Sequence, residues 1–97
     1  MTNEMPFPRW SVETTAGFDE EIGEVDHAIA VRVLKKLRHL ATLEDPAASC
    51  KALTGPLGGL WRSRVGDWRV ILDIRKGELV ILEARLGGSD ELVYALV

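Results

Sequence analysis

The chain predicts an α+β domain in the order β-α-α-β-β-β, with two N-terminal helices packed on one face of a mainly antiparallel four-stranded sheet. Three observations carry that prediction. Helical periodicity is confined to the first half of the sequence, and two-residue alternation governs residues 60–86. Two tight-turn signatures, Gly66-Asp67 and Lys76-Gly77, cut the alternating stretch into successive strands. A length of 97 residues suits one core rather than two, so residues 1–97 are read as a single domain.

Taken in order, residues 1–8, with Pro6 and Pro8, form an irregular lead-in to a short strand from Arg9 to Glu13. Thr14 or Thr15 caps the first helix, which carries Phe18, Ile22 and Val25 at helical spacing. Asp19, Glu20 and Glu21 fall in its first turn, where the helix dipole favours acids. Asp26 is the N-cap of a second helix, His27 to Leu43. Ile29, Val33, Leu37 and Leu40 make its apolar stripe, while Arg32, Lys35, Lys36 and His39 occupy the opposite face, a pattern whose commoner meaning is a solvated face. Residues 44–59 are a long connection, of the kind that is functional or mobile in small domains. Gly58-Gly59 within it lacks the strand and helix that a phosphate-binding loop requires. The strands Leu60–Val65, Trp68–Arg75 and Glu78–Leu86 follow, and Gly87-Gly88 opens a tail that contains Tyr94.

Bulk composition excludes several classes. Hydrophobic residues make up 46% of the chain, no apolar run approaches a membrane span, and no signal pattern opens the sequence. Cys50 is the lone cysteine, so no internal disulfide is possible and a cytoplasmic setting without membrane contact is expected. His27 and His39 lie near no cluster with metal-ligand spacing, so no metal or cofactor is expected. The formal net charge of −3 is unevenly distributed: residues 1–26 balance at −6, residues 27–75 at +5, and residues 76–97 at −2. The basic middle is the part to which an anionic partner would come.

Within that middle, residues 60–70 carry the most information. Trp61, Ser63 and Val65 alternate with Arg62 and Arg64, and Trp68 and Val70 continue the alternation beyond the turn. A two-residue turn at Gly66-Asp67 pairs Val65 with Trp68 and sets Arg64 opposite Arg69 on one face. Like charges directly opposite each other destabilise a sheet. A patch of Arg62, Arg64 and Arg69 therefore points to an anion bound between them. The competing reading pairs Arg62 and Arg64 with Asp73 or Glu83 as ordinary surface ion pairs.

The run from Lys51 through Leu53-Thr54-Gly55-Pro56-Leu57, Leu60-Trp61-Arg62-Ser63-Arg64 and Gly66-Asp67-Trp68-Arg69-Val70 resembles the RelE branch of the RelE/ParE superfamily of bacterial toxins. The likeness extends over roughly residues 9–94 and includes Ile71 to Val80. It implies a ribosome-dependent endoribonuclease that cuts mRNA in the ribosomal A site and is held inactive by a cognate antitoxin in a hetero-oligomer. Carried across by position, the family's catalytic residues correspond to Arg62, Arg64, Arg69 and Tyr94, with Lys51 and Arg85 as further RNA contacts. The chain departs from the family in its tail. Many relatives there read Gly-His-Arg or Gly-Lys-Arg, whereas this sequence reads Gly87-Gly88-Ser89-Asp90, so the tail cation is missing. The resemblance also leaves room for a non-catalytic member that binds an antitoxin or acts on gyrase.

Metal-free RNA cleavage uses the ribose 2′-hydroxyl as nucleophile on the adjacent phosphate and leaves a cyclic phosphate and a free 5′-hydroxyl. Negative charge gathers on the phosphoryl oxygens in the transition state, where preorganised cations have their largest effect. Guanidinium groups match phosphate geometry bidentately but keep their protons, so they bind and stabilise charge rather than act as bases. Tyr94 would stack on or orient the base beside the cut.

Overall fold

A computed structural model describes residues 9–87. β1 (Ser11–Thr14) leads into α1 (Ala16–Glu24) and α2 (His27–Leu40), followed by β2 (Lys51–Ala52), β3 (Trp61–Val65), β4 (Trp68–Arg75) and β5 (Glu78–Leu86). The order agrees with the expected one except for an additional strand. Lys51 and Ala52 pair with Arg62 and Trp61, giving a five-stranded sheet in the order β1-β5-β4-β3-β2. Two residues are too few to show a period, which is why the sequence reads as a loop there.

Thr15 starts the helical half. Its extended backbone and its side-chain oxygen, which accepts from the Phe18 amide at 3.1 Å, form the N-cap of α1. The Thr15 hydroxyl also donates to the Leu82 carbonyl at 2.9 Å, pinning the helix start to β5. The second helix ends at Leu40, short of the expected Leu43. The amides of Thr42 and Leu43 bond three residues back, tightening the end of the helix, and the Trp10 indole donates to the Leu43 carbonyl at 3.0 Å. The long connection contains two 3-10 turns, Pro46–Ser49 and Gly55–Leu57, flanking β2.

The sheet separates two apolar layers. On the helix side, Phe18, Val33, Leu37, Leu40 and Ala41 meet Val70, Leu72, Leu79, Ile81 and Ala84, with Trp61 and Trp68 packed against them. The strand parity that sends both tryptophans to the core is therefore the one observed. On the other face, the 44–59 connection and Leu60 close over a smaller cluster of Leu53, Leu57 and the fully buried Ile71, with Leu82 alongside.

One irregularity decides which residues share that second face. Ile71 pairs with Glu83 but Leu72 pairs with Ile81, so Leu82 is an extra residue in β5. Before this bulge the odd residues Leu79 and Ile81 point to the helices; after it the even residue Ala84 does. The bulge thereby turns Glu83 and Arg85 to the face opposite the helices.

Candidate functional site

The β3–β4 hairpin folds as its turn dictates. Gly66 has φ of +61° while Asp67 does not leave the negative region, the first-position glycine arrangement of a type II′ turn. Its tightness fixes the register, so Val65 pairs with Trp68 and Arg64 lies directly opposite Arg69. The α2 residue Arg32 lies over this turn: a methyl group on Gly66 would come within 2.8 Å of its guanidinium.

Two rows of residues cross the face away from the helices. The first runs Lys51, Arg62, Ile71, Glu83 from β2 to β5, and the second runs Arg64, Arg69, Arg85 from β3 to β5. Lys51, Arg62, Arg64 and Arg69 thus occupy neighbouring positions on one surface. Arg64 and Lys51 are exposed, and Arg62 and Arg69 are half-buried. Arg64 makes no hydrogen bond or ion pair among the described residues. Of the two acids considered as partners of Arg62 and Arg64, Asp73 pairs with Arg75 at 2.8 Å and Glu83 with Arg85 at 3.0 Å; Arg62 and Arg69, unlike Arg64, each have an interaction of their own within the protein.

Arg85 differs from the rest of its row. Although it stands across from Arg69, its Nε also lies 3.3 Å from Glu21 of α1, so two carboxylates hold it. The Glu21 side chain makes a second contact, accepting from the Ala84 amide at 2.9 Å. β1 pairs with β5 only as far as Ile81, and Glu21 satisfies the β5 edge beyond that point. Sequence reasoning placed Glu20 and Glu21 with Asp19 in the first turn of the helix, but α1 starts at Ala16 and only Asp19 falls there; it missed this role of Glu21. It also missed the alignment of Arg85 with Arg69; the signal was the switch of apolar parity from 79 and 81 to 82, 84 and 86. Tyr94 and the expected tail contacts lie outside the described residues.

Chemically, the surface can bind phosphate and stabilise developing negative charge. Among the described residues no group of three or more His, Cys, Asp or Glu side chains could hold a metal ion. Cys50 is half-buried and its thiol is pushed up by burial, against a smaller opposing pull from Lys36, which disfavours the thiolate a nucleophile needs. No helix among the described residues is long and apolar enough to cross a membrane.

A short mixed sheet with two helices on one face and a cationic surface on the other is the architecture of a class of small bacterial toxins. Residues 12–92 match the family model described as the ParE toxin of the type II toxin–antitoxin system parDE, and the chain belongs to that family, within the RelE/ParE superfamily. No curated protein matches it. The toxin–antitoxin complex RelBE2 from Mycobacterium tuberculosis is similar in fold, with a TM-score of 0.74 at 21% identity, covering 91% of this chain and 100% of that one. The archaeal RelE–RelB complex from Pyrococcus horikoshii gives 0.64 at 24% identity over 82% and 97% of the two chains. The YoeB/ParE toxin from Agrobacterium tumefaciens gives 0.68 at 15% identity over 80% and 99%.

Proposed function

We propose that this toxin is a ribosome-dependent endoribonuclease that cleaves mRNA in the A site through attack of the 2′-hydroxyl on the adjacent phosphate. The observation that carries the reading is the exposed Arg64 set directly against Arg69, with Arg62 and Lys51 beside them. Arg64 makes no hydrogen bond or ion pair among the described residues, so its guanidinium is available to a phosphate. In this reading Arg62, Arg64 and Arg69 grip the scissile phosphate and stabilise its transition-state charge, Lys51 contacts a neighbouring phosphate, and Tyr94 orients the adjacent base. A cognate antitoxin, of the kind present in the RelBE2 and archaeal RelE–RelB complexes, restrains the toxin by covering part of this surface with an acidic or apolar segment.

The test is primer extension on programmed ribosomes with the wild type, Arg64→Ala and Arg69→Ala. Each substitution is expected to slow cleavage by ~100- to 1000-fold, the usual effect of removing one charge-stabilising donor. Absent cleavage, or cleavage untouched by both changes, overturns the reading. A second reading draws on the family model, whose description is that of a ParE toxin: a protein acting on gyrase without RNA cleavage. Inhibition of gyrase supercoiling by a wild type that leaves ribosome-bound mRNA intact would establish it instead.

A further inference from the structure

α2 carries Arg32, Lys35, Lys36 and Arg38 and no acidic residue, in a chain whose formal net charge is −3. A solvated face is the commoner meaning of a cationic stripe, and the helix dipole by itself accounts for Arg38 and His39 in the last turn. It does not account for Arg32 and Lys35, which stand in the middle of the helix, three residues apart and therefore on one face. Solvated helical cations gain from carboxylates one turn away, and α2 offers them none. Arg32, Lys35 and Arg38 are exposed, and their side chains make no hydrogen bond or ion pair among the described residues. The position of the stripe is a second, separate observation. The Arg32 guanidinium lies over Gly66, where a Cβ would meet it at 2.8 Å. Arg64 and Arg69 stand on the same hairpin, just before and just after that turn. Cationic surface therefore continues round the hairpin tip, from the sheet face to α2.

We propose that the Arg32–Lys35 face of α2, with Arg38 and His39 at its end, docks on the phosphate backbone of folded ribosomal RNA while the sheet face takes the message. The inference rests on the reading of this protein as a ribosome-dependent nuclease, and it names what that dependence consists of. α2 lies across the sheet from Arg64, with the main core between them. A message gripped on the sheet face leaves the α2 cations unneutralised, so the anion they meet belongs to the surroundings of the message. Contacts of cations with phosphates fix orientation without reading sequence, which is what docking against ribosomal RNA requires. Arg32 and Lys35 are thus positioning residues: they hold the toxin so that Arg64 meets the message, and they take no part in the bond that breaks.

The experiment uses ribosomes programmed with mRNA and reads two quantities over a range of monovalent salt. One is co-sedimentation of the toxin with ribosomes; the other is the single-turnover cleavage rate at rising ribosome concentration. The proteins compared are the wild type, Arg32→Gln with Lys35→Gln, the swap Arg32→Lys with Lys35→Arg, and Arg64→Ala. Both α2 positions are exposed and glutamine matches arginine and lysine in helix propensity, so thermal melts of these variants should follow the wild type. The glutamine pair should weaken co-sedimentation several-fold and leave the rate at saturating ribosomes unchanged. It should also flatten the log–log salt slope by about 1.4–1.8, the loss of two phosphate contacts. The swap keeps both charges and should keep binding. Arg64→Ala should do the reverse of the glutamine pair, lowering the saturating rate and retaining most of the co-sedimentation. The proposal is overturned if the glutamine pair sediments like the wild type, if it lowers the saturating rate, or if the swap binds as poorly as the glutamine pair. Binding of a glutamate-rich peptide that falls with the glutamine pair, while ribosome binding does not, assigns the face to an acidic protein partner and overturns it too. A wild type that neither sediments with ribosomes nor cleaves their message refutes the ribosome reading itself, an outcome distinct from all the others.

Discussion

Replacing Arg64 by glutamine should make this protein more stable while removing its proposed activity. The Arg64–Arg69 pair is directly opposed in the hairpin, which places the two Cβ atoms about 5 Å apart. Directly opposed like charges destabilise a strand pair by roughly 0.2–1 kcal/mol. Glutamine keeps much of the aliphatic stem of arginine, is shorter, and removes the charge. For a domain of this size each kcal/mol moves the melting temperature by about 4–8 °C, so a rise of about 1–8 °C is expected. The gain must also depend on salt, since the Debye length falls from ~10 Å at 0.1 M to ~3 Å at 1 M ionic strength. Thermal melts followed by circular dichroism, at low and high salt, measure both. The same substitution in an Arg69→Gln background should give no further gain, because the repulsion has already gone. A variant that melts at or below the wild type in low salt, or whose gain ignores salt, refutes the argument that function holds these two cations together.

Three other outcomes follow from the packing. Ser63 is 1% exposed and its hydroxyl makes no hydrogen bond among the described residues, so Ser63→Ala should melt at or above the wild type; a loss beyond about 1 kcal/mol would reveal an unseen partner. Ile71, fully buried beneath Leu53 and Leu57, should cost about 2–5 kcal/mol as alanine in a denaturant titration, and a cost below that would mean the smaller cluster contributes little. Because burial raises the Cys50 pKa while Lys36 opposes it, alkylation near pH 8 should be slower than for a free thiol. Lys36→Met should slow it further, and a faster reaction would reverse the assigned sign.

Much of the hairpin was legible because local chemistry decides it. Gly66-Asp67 admits one tight turn, and the turn fixes register, so Arg64 against Arg69 and the inward tryptophans follow from residues 60–70 alone. The helices were legible through Thr15, Asp26 and the Ile29–Leu40 stripe, apart from the last turn of the second, where a tertiary bond from Trp10 takes over. What was hidden is non-local. The parallel pairing of β1 with β5 has no sequence signature, the two-residue β2 has no period, and the Leu82 bulge appears only as a change of parity. Glu21 was misread for the same reason: its partners, Ala84 and Arg85, are more than sixty residues away.

The parallel pairing of the first strand with the last, Ser11 against Glu78 through Thr14 against Ile81, governs when this toxin can finish folding. β1 finds its neighbour only after Glu78–Ile81 have been made. Closing so long a loop is slow compared with forming the hairpins that precede it. A nascent chain therefore carries an unfinished sheet until Glu78–Ile81 are available to pair with β1.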